Sequence, residues 1–253
     1  PQAANKTMGQ GGFQEVEQMN LFKDMVCYQE EVRDASRMAE VLNRVILKAK
    51  RGSAPAQINV PRDFWTQIVD IELPSIIEFE RPSGGATAIT EAAKLLSNAK
   101  FPVILSGAGV VLADAIGDCK KIAEKLDAPV ACGYQHNDSF PGKHPLAIGP
   151  LGYNGSKAAM EIISKADVVL ALGTRLNPFS TLPGYGIDYW PKKANIIQVD
   201  INPDRIGLTK KVTVGISGDA KLVAQQILEK LSSNAGDTDR QKRKDLIHQT
   251  KSA

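Results

Sequence analysis

Apolar positions along this chain follow two rhythms. Some runs are continuously apolar and rich in β-branched residues, and each ends on a glycine or an aspartate. Val103-Ile104-Leu105 runs into Ser106-Gly107-Ala108-Gly109, and Val168-Val169-Leu170-Ala171-Leu172 runs into Gly173-Thr174-Arg175. Ile196-Ile197-Gln198-Val199 closes on Asp200, and Val212-Thr213-Val214-Gly215-Ile216 closes on Ser217-Gly218-Asp219. Runs without alternation are strands covered on both faces, which means a parallel sheet between helices. Between them the apolar residues recur every three or four positions. One stripe is Ile89, Ala92, Leu95, Leu96 and Ala99; a second runs from Leu112 through Ala115, Ile116, Cys119, Ile122 and Ala123 to Leu126; a third is Val223, Ile227 and Leu231. That spacing predicts one-sided helices. Alternating strands and helices over residues 87–233 predict an α/β doubly wound parallel sheet, a Rossmann-like domain.

The first part of the chain is less complete. Residues 25–32 predict a strand, and Asp34 or Ser36 caps a helix with the stripe Met38, Val41, Leu42, Val45, Ile46 and Ala49. Arg51-Gly52-Ser53-Ala54-Pro55 ends that helix, and a strand over 56–60 stops at Pro61. A lone crossover pair cannot cover a sheet, so residues 1–65 read as the C-terminal part of a second α/β domain. Residues 66–86 read as a linker, 133–154 as a long loop, and 234–253 as a linker or tail. The chain opens at Pro1 on a polar segment, as if cut from something longer.

Charge and cysteine usage narrow the classes. With 31 basic and 28 acidic residues in 253, the excess of +3 is too small to argue for nucleic acid. The basic run Arg240-Gln241-Lys242-Arg243-Lys244 reads as a solvated linker. Cys27, Cys119 and Cys132 have no CxxC spacing, which argues against zinc or a disulfide scaffold and for a reducing cytoplasm. No apolar run approaches the roughly 20 residues that span a membrane.

Candidate chemistry sits where the strands end, because open parallel sheets bind ligands outside their strand C-termini. Gly107 and Gly109 begin a dinucleotide fingerprint, but Leu112 holds the third glycine position and the next strand ends on Cys132-Gly133, not on an acidic residue. A standard NAD site is disfavoured, and a tight strand-to-helix turn explains both glycines without a ligand. Gly155-Ser156-Lys157 reads as a loop and helix cap. Arg175, just after Gly173, is the better anion candidate. Asp200 and Asp219 can hold a ribose hydroxyl or cap a helix. His136, His144 and His248 are not spaced as ligands or as a triad, and no G-x-S-x-G elbow supplies a nucleophile. Cys27, on an apolar strand, is expected to be packed, and Cys119 to be structural.

Two stretches carry a family resemblance. Gly11-Gly12-Phe13-Gln14-Glu15 and Pro55-Ala56-Gln57-Ile58-Asn59-Val60-Pro61-Arg62-Asp63 resemble the segments that close the pyrimidine-binding domain of thiamine diphosphate-dependent enzymes of the acetolactate synthase type. The turns at Gly107, Gly152, Gly173, Asp200 and Asp219 are similar, in order, to that family's central domain. Within the family, residues 1–7 and 59–65 most resemble the acetyltransferases that act on sulfoacetaldehyde. The resemblance implies thiamine diphosphate and Mg²⁺, held mainly by parts that this segment lacks, and a segment inactive by itself. It implies phosphate as co-substrate, a homodimer or homotetramer, and no nucleic acid or membrane partner. Phe13 and Gln14 carry over as active-site-lining positions. Cys27 stands where acetolactate synthases have a lysine, which argues against the acetolactate reaction. Gly107, Gly109, Gly173, Arg175, Asp200 and Asp219 form a nucleotide cradle that FAD or ADP fills in some relatives and that is expected to be idle here. The rivals are a flavin- or ADP-binding module and an architectural domain that braces dimer partners.

Overall fold

The computed structural model describes residues 2–13, 15–75, 77–232 and 240–252. The chain divides into two units, Pro1–Phe79 and Glu80–Ala253.

In the first unit α1 (Gln18–Phe22) precedes β1 (Tyr28–Glu31), α2 (Met38–Gly52) and β2 (Ala56–Asn59). β1 and β2 pair in parallel, Tyr28 opposite Ala56 and Glu31 opposite Asn59. The Asp34 carboxylate accepts from the Ser36 backbone N–H at 2.9 Å, capping a short 3₁₀ turn that leads into α2. The helix ends where Ser53 turns left-handed (φ 46°). Because side chains alternate along a strand, Tyr28, Ala56 and Ile58 face the helix and pack with Val32, Val41, Val45 and Val60. Leu42 and Ile46, read as part of the same stripe, are exposed. Gln29, Glu31, Gln57 and Asn59 occupy the alternate positions, so the opposite face of this pair is wholly polar.

The second unit holds, among the described residues, a six-stranded sheet in the order β5-β4-β3-β6-β7-β8 with every neighbouring pair parallel. The strands are β3 (Pro102–Ser106), β4 (Val130–Gly133), β5 (Ala147–Leu151), β6 (Val168–Leu172), β7 (Asn195–Asp200) and β8 (Val214–Ser217). α3 (Ala86–Asn98) and α5 (Ile116–Leu126) each pack on α7 (Ala220–Lys230), and the three reach β8, β3 and β7 respectively. α6 (Lys157–Ile163) packs on β5 and against α8 (Arg240–Ser252). The central strands β3 and β6 are buried at every position, which explains their unalternated apolar sequence.

Three elements depart from expectation. The stretch expected as a loop over 133–154 contains β5, at the sheet edge, where Gly149 (φ 92°) and Pro150 interrupt the apolar pattern. Proline is tolerated there because an edge strand has one side free of ladder bonds. The helix expected from Leu112 onward is two pieces: α4 (Ala108–Leu112) stops before left-handed Asp114 (φ 52°), and Leu112 is 77% exposed. The basic run expected as solvated linker is instead the first turn of α8. Arg243 donates to the Lys100 and Leu126 carbonyls at 2.6 and 3.0 Å, and Arg240 to the Lys125 carbonyl at 2.8 Å. Those carbonyls precede β3 and β4, so arginines pin the helix at the N-terminal edge of the sheet. Among the described residues no helix is long and apolar enough to cross a membrane.

Candidate functional site

The chain builds β3, β4 and β5 outward, then returns to place β6 beside β3, so the topological switch point lies between those two strands. The turns after them touch through backbone. The Gly107 N–H donates to the Leu172 carbonyl (3.1 Å) and the Gly109 N–H to the Gly173 carbonyl (2.8 Å). A Cβ on Gly109 would lie 2.7 Å from the Gly173 Cα, and one on Gly107 would lie 2.6 Å from the Gly173 oxygen. Gly173 itself is left-handed (φ 61°). The space where each side chain would point is filled by the neighbouring turn, so close packing accounts for all three glycines without a ligand.

The polar candidates on this rim stand apart in role. Arg175 is exposed and, among the described residues, has no hydrogen-bond or ion-pair partner. Asp200 is buried, accepts from the Asn202 N–H at 2.9 Å, and lies 4.0 Å from Arg205. Burial pushes its carboxyl up, opposed by the Asn202 hydrogen bond and by the charges of Arg205 and Arg175. Asp219 caps α7, accepting from the N–H groups of Lys221 (2.9 Å) and Leu222 (3.2 Å), while Arg81 meets its other oxygen at 2.7 Å. Its own N–H donates to the Pro82 carbonyl at 2.7 Å, so the segment entering the unit is fastened to the β8–α7 turn.

Sequence reasoning passed over two groups here. Buried Gln198 donates to the Thr174 and Arg205 carbonyls (both 3.2 Å) and accepts from the Gly207 N–H (2.9 Å), tying the loops after β6 and β7 together. An amide inside a β-branched run is the signal that marks it. Tyr134, Tyr153 and Phe179 form a line of edge-on rings just beyond β4, β5 and β6.

Phe13 belongs to the first unit and is 91% exposed. Gln14 lies outside the described residues. Next to them the Glu15 carboxylate folds back on its own loop, accepting from the Gly9 N–H and, at 3.0 Å, from the Gly12 N–H. These amides hold its carboxyl below the ordinary carboxylate range. Cys27 is exposed, contrary to the packed position expected of it, whereas Cys119 and Cys132 are buried. Burial pushes the Cys119 thiol up to about 12, so it is inert. His144 accepts from the Leu146 N–H at Nδ1 and turns Nε2 toward Glu124 at 3.2 Å, a surface tether.

A diphosphate bound through Mg²⁺ needs converging amides and oxygen ligands. The glycine amides of 9–12 are taken by Glu15, the rim glycines are packed against each other, and no three His, Cys, Asp or Glu side chains converge among the described residues. The described residues do not form a seat for such a group.

Residues 89–227 match the family model described as "Thiamine pyrophosphate enzyme, central domain". All 253 residues are 78% identical to a sulfoacetaldehyde acetyltransferase of Roseovarius nubinhibens and cover 42% of its length. Over 238 residues, 91% of the chain, identity is 31% to a "Probable acetolactate synthase large subunit" of Methanocaldococcus jannaschii, 40% of whose length is covered. Among solved structures, benzoylformate decarboxylase from Polynucleobacter necessarius shares the fold, with a TM-score of 0.79 at 21% identity over 94% of this chain and 45% of that one. The chain thus spans about two fifths of the curated relatives it matches. Since the matched region is more than half of the chain, the protein belongs to the thiamine pyrophosphate enzymes, and residues 89–227 are their central domain.

Proposed function

We propose that the full-length protein is a sulfoacetaldehyde acetyltransferase, converting sulfoacetaldehyde and phosphate to acetyl phosphate and sulfite. The observation that carries this reading is the gap in similarity: 78% identity along the whole chain to an enzyme of that name, against 31% to an acetolactate synthase subunit. In the overall reaction the carbon–sulfur bond breaks and sulfite leaves with its electron pair. The methylene carbon gains a proton to become methyl, and the aldehyde carbon ends as the acyl group on phosphate. No external oxidant or reductant is needed. Thiamine diphosphate, with Mg²⁺, supplies the carbanion chemistry when bound, and we assign its seat to segments that this chain does not span.

The first unit is then the C-terminal part of a pyrimidine-binding domain, and Phe13 with Gln14 lines the substrate site. The central-domain rim of Gly107, Gly109, Gly173, Arg175, Asp200 and Asp219 is a packed scaffold, with neither FAD nor ADP required. A cytoplasmic homodimer or homotetramer completes the proposal. Incubating the full-length protein with sulfoacetaldehyde, phosphate and Mg²⁺ should release sulfite only when thiamine diphosphate is added. Sulfite release that ignores the cofactor would overturn the proposal.

A further inference from the structure

The loop bearing Phe13 is held at both ends and in the middle, and each hold comes from a different part of the first unit. At its start the Gln2 N–H donates to the Val60 carbonyl (3.0 Å), and the Arg62 N–H donates to the Gln2 carbonyl (3.1 Å). At its far end Gln29 Nε2 donates to the Met19 carbonyl at 2.7 Å. The polar sheet face joins the two. Gln29 donates to Gln57 Oε1 (2.8 Å), Gln57 to Asn59 Oδ1 (2.6 Å), Asn59 to Gln2 Oε1 (2.9 Å), and Gln2 to Glu31. A face of amides donating in sequence and ending on a carboxylate explains why this side of the sheet carries no apolar residue.

Between those anchors the loop closes on Glu15. Gly9 (φ 82°) and Gly11 (φ 70°) adopt left-handed conformations that other residues resist, and such turns aim backbone amides at one point. The Glu15 carboxylate fills that point, while its own N–H donates to the Gly12 carbonyl at 3.1 Å. Phe13 lies inside this closure and is 91% exposed, so it contributes nothing to the core of the unit. We propose that Glu15 is a positioning residue: its carboxylate, seated in the glycine amides, sets the loop that presents Phe13 to substrate. The inference rests on the reading of Phe13 given above.

The test uses the full-length protein with Glu15→Gln and Gly9→Ala. The first removes the charge at equal size. The second strains the amide nest at a position where a methyl group meets no atom within 4 Å. If Phe13 binds substrate and transition state alike, both variants should raise KM for sulfoacetaldehyde about tenfold and leave kcat within about twofold. Chymotryptic cleavage after Phe13 should quicken about tenfold as the loop opens locally, with the global melting temperature unchanged. Unchanged KM and unchanged cleavage in both variants would overturn the proposal. So would a fall in kcat at constant KM, which would place Glu15 in the chemistry itself. Should the wild type release no sulfite, the functional reading fails, and the cleavage rates still decide whether Glu15 orders the loop.

Discussion

A methyl group on Gly109 would press within 2.7 Å of the Gly173 Cα, and backbone cannot move aside as a flexible side chain can. We expect Gly109→Ala to cost about 3 kcal/mol by forcing the two turns apart, read as a lower urea midpoint. Gly117→Ala is the control. It lies in the first turn of α5 with no atom within 4 Å of the added methyl, so helix propensity should leave the protein unchanged or stabilise it by up to about 1 kcal/mol. Asp200 gives a pH signature. Burial raises its carboxyl above the ordinary 3.8, so the native state keeps its proton to higher pH than the unfolded chain does. Stability therefore declines as pH rises from the ordinary aspartate range through the raised native value. Asp200→Asn, still able to accept from Asn202, should flatten that decline in urea titrations at several pH values; an identical slope would contradict the assignment. The sequence left the glycines open between a ligand cradle and a tight turn. Spacing along one strand cannot show that residue 173 stands opposite residue 109, a backbone contact that by itself requires glycine at both positions.

At the scale of elements, legibility followed burial. β3 and β6 are covered on both faces, and their apolar runs announced them. β5 was missed because an edge strand bears fewer constraints: Gly149 and Pro150 sit inside it, and both read as loop. α8 was missed for another reason. Among the described residues it buries one apolar side chain, Ile247 at 3% exposure, and meets the body of the unit through arginines that donate to backbone carbonyls and through Arg240 and Lys244 beside Asp127. Hydrophobic periodicity cannot register an element held mainly by hydrogen bonds. Ile247→Ala should therefore destabilise the protein by about 3 kcal/mol, as truncation of a buried aliphatic does. A change under about 0.5 kcal/mol, typical of exposed surface positions, would show that the helix is not docked.

At the scale of the whole molecule, the two α/β units differ in what they present. The second is the family's central domain, and its strand ends carry tight glycine packing and a helix cap. The first presents the exposed aromatic of the Gly-Gly-Phe-Gln-Glu segment. The motif pointed to that place, but its spacing could not show that Glu15 folds into the amides of its own loop, since only three-dimensional convergence reveals a nest. The central claim is the choice of substrate. It is tested most directly by giving the full-length protein, loaded with thiamine diphosphate and Mg²⁺, equal amounts of sulfoacetaldehyde and pyruvate in phosphate, then quantifying products. Sulfite and acetyl phosphate should form in equal amounts with no acetolactate. Acetolactate without sulfite would contradict this choice of substrate.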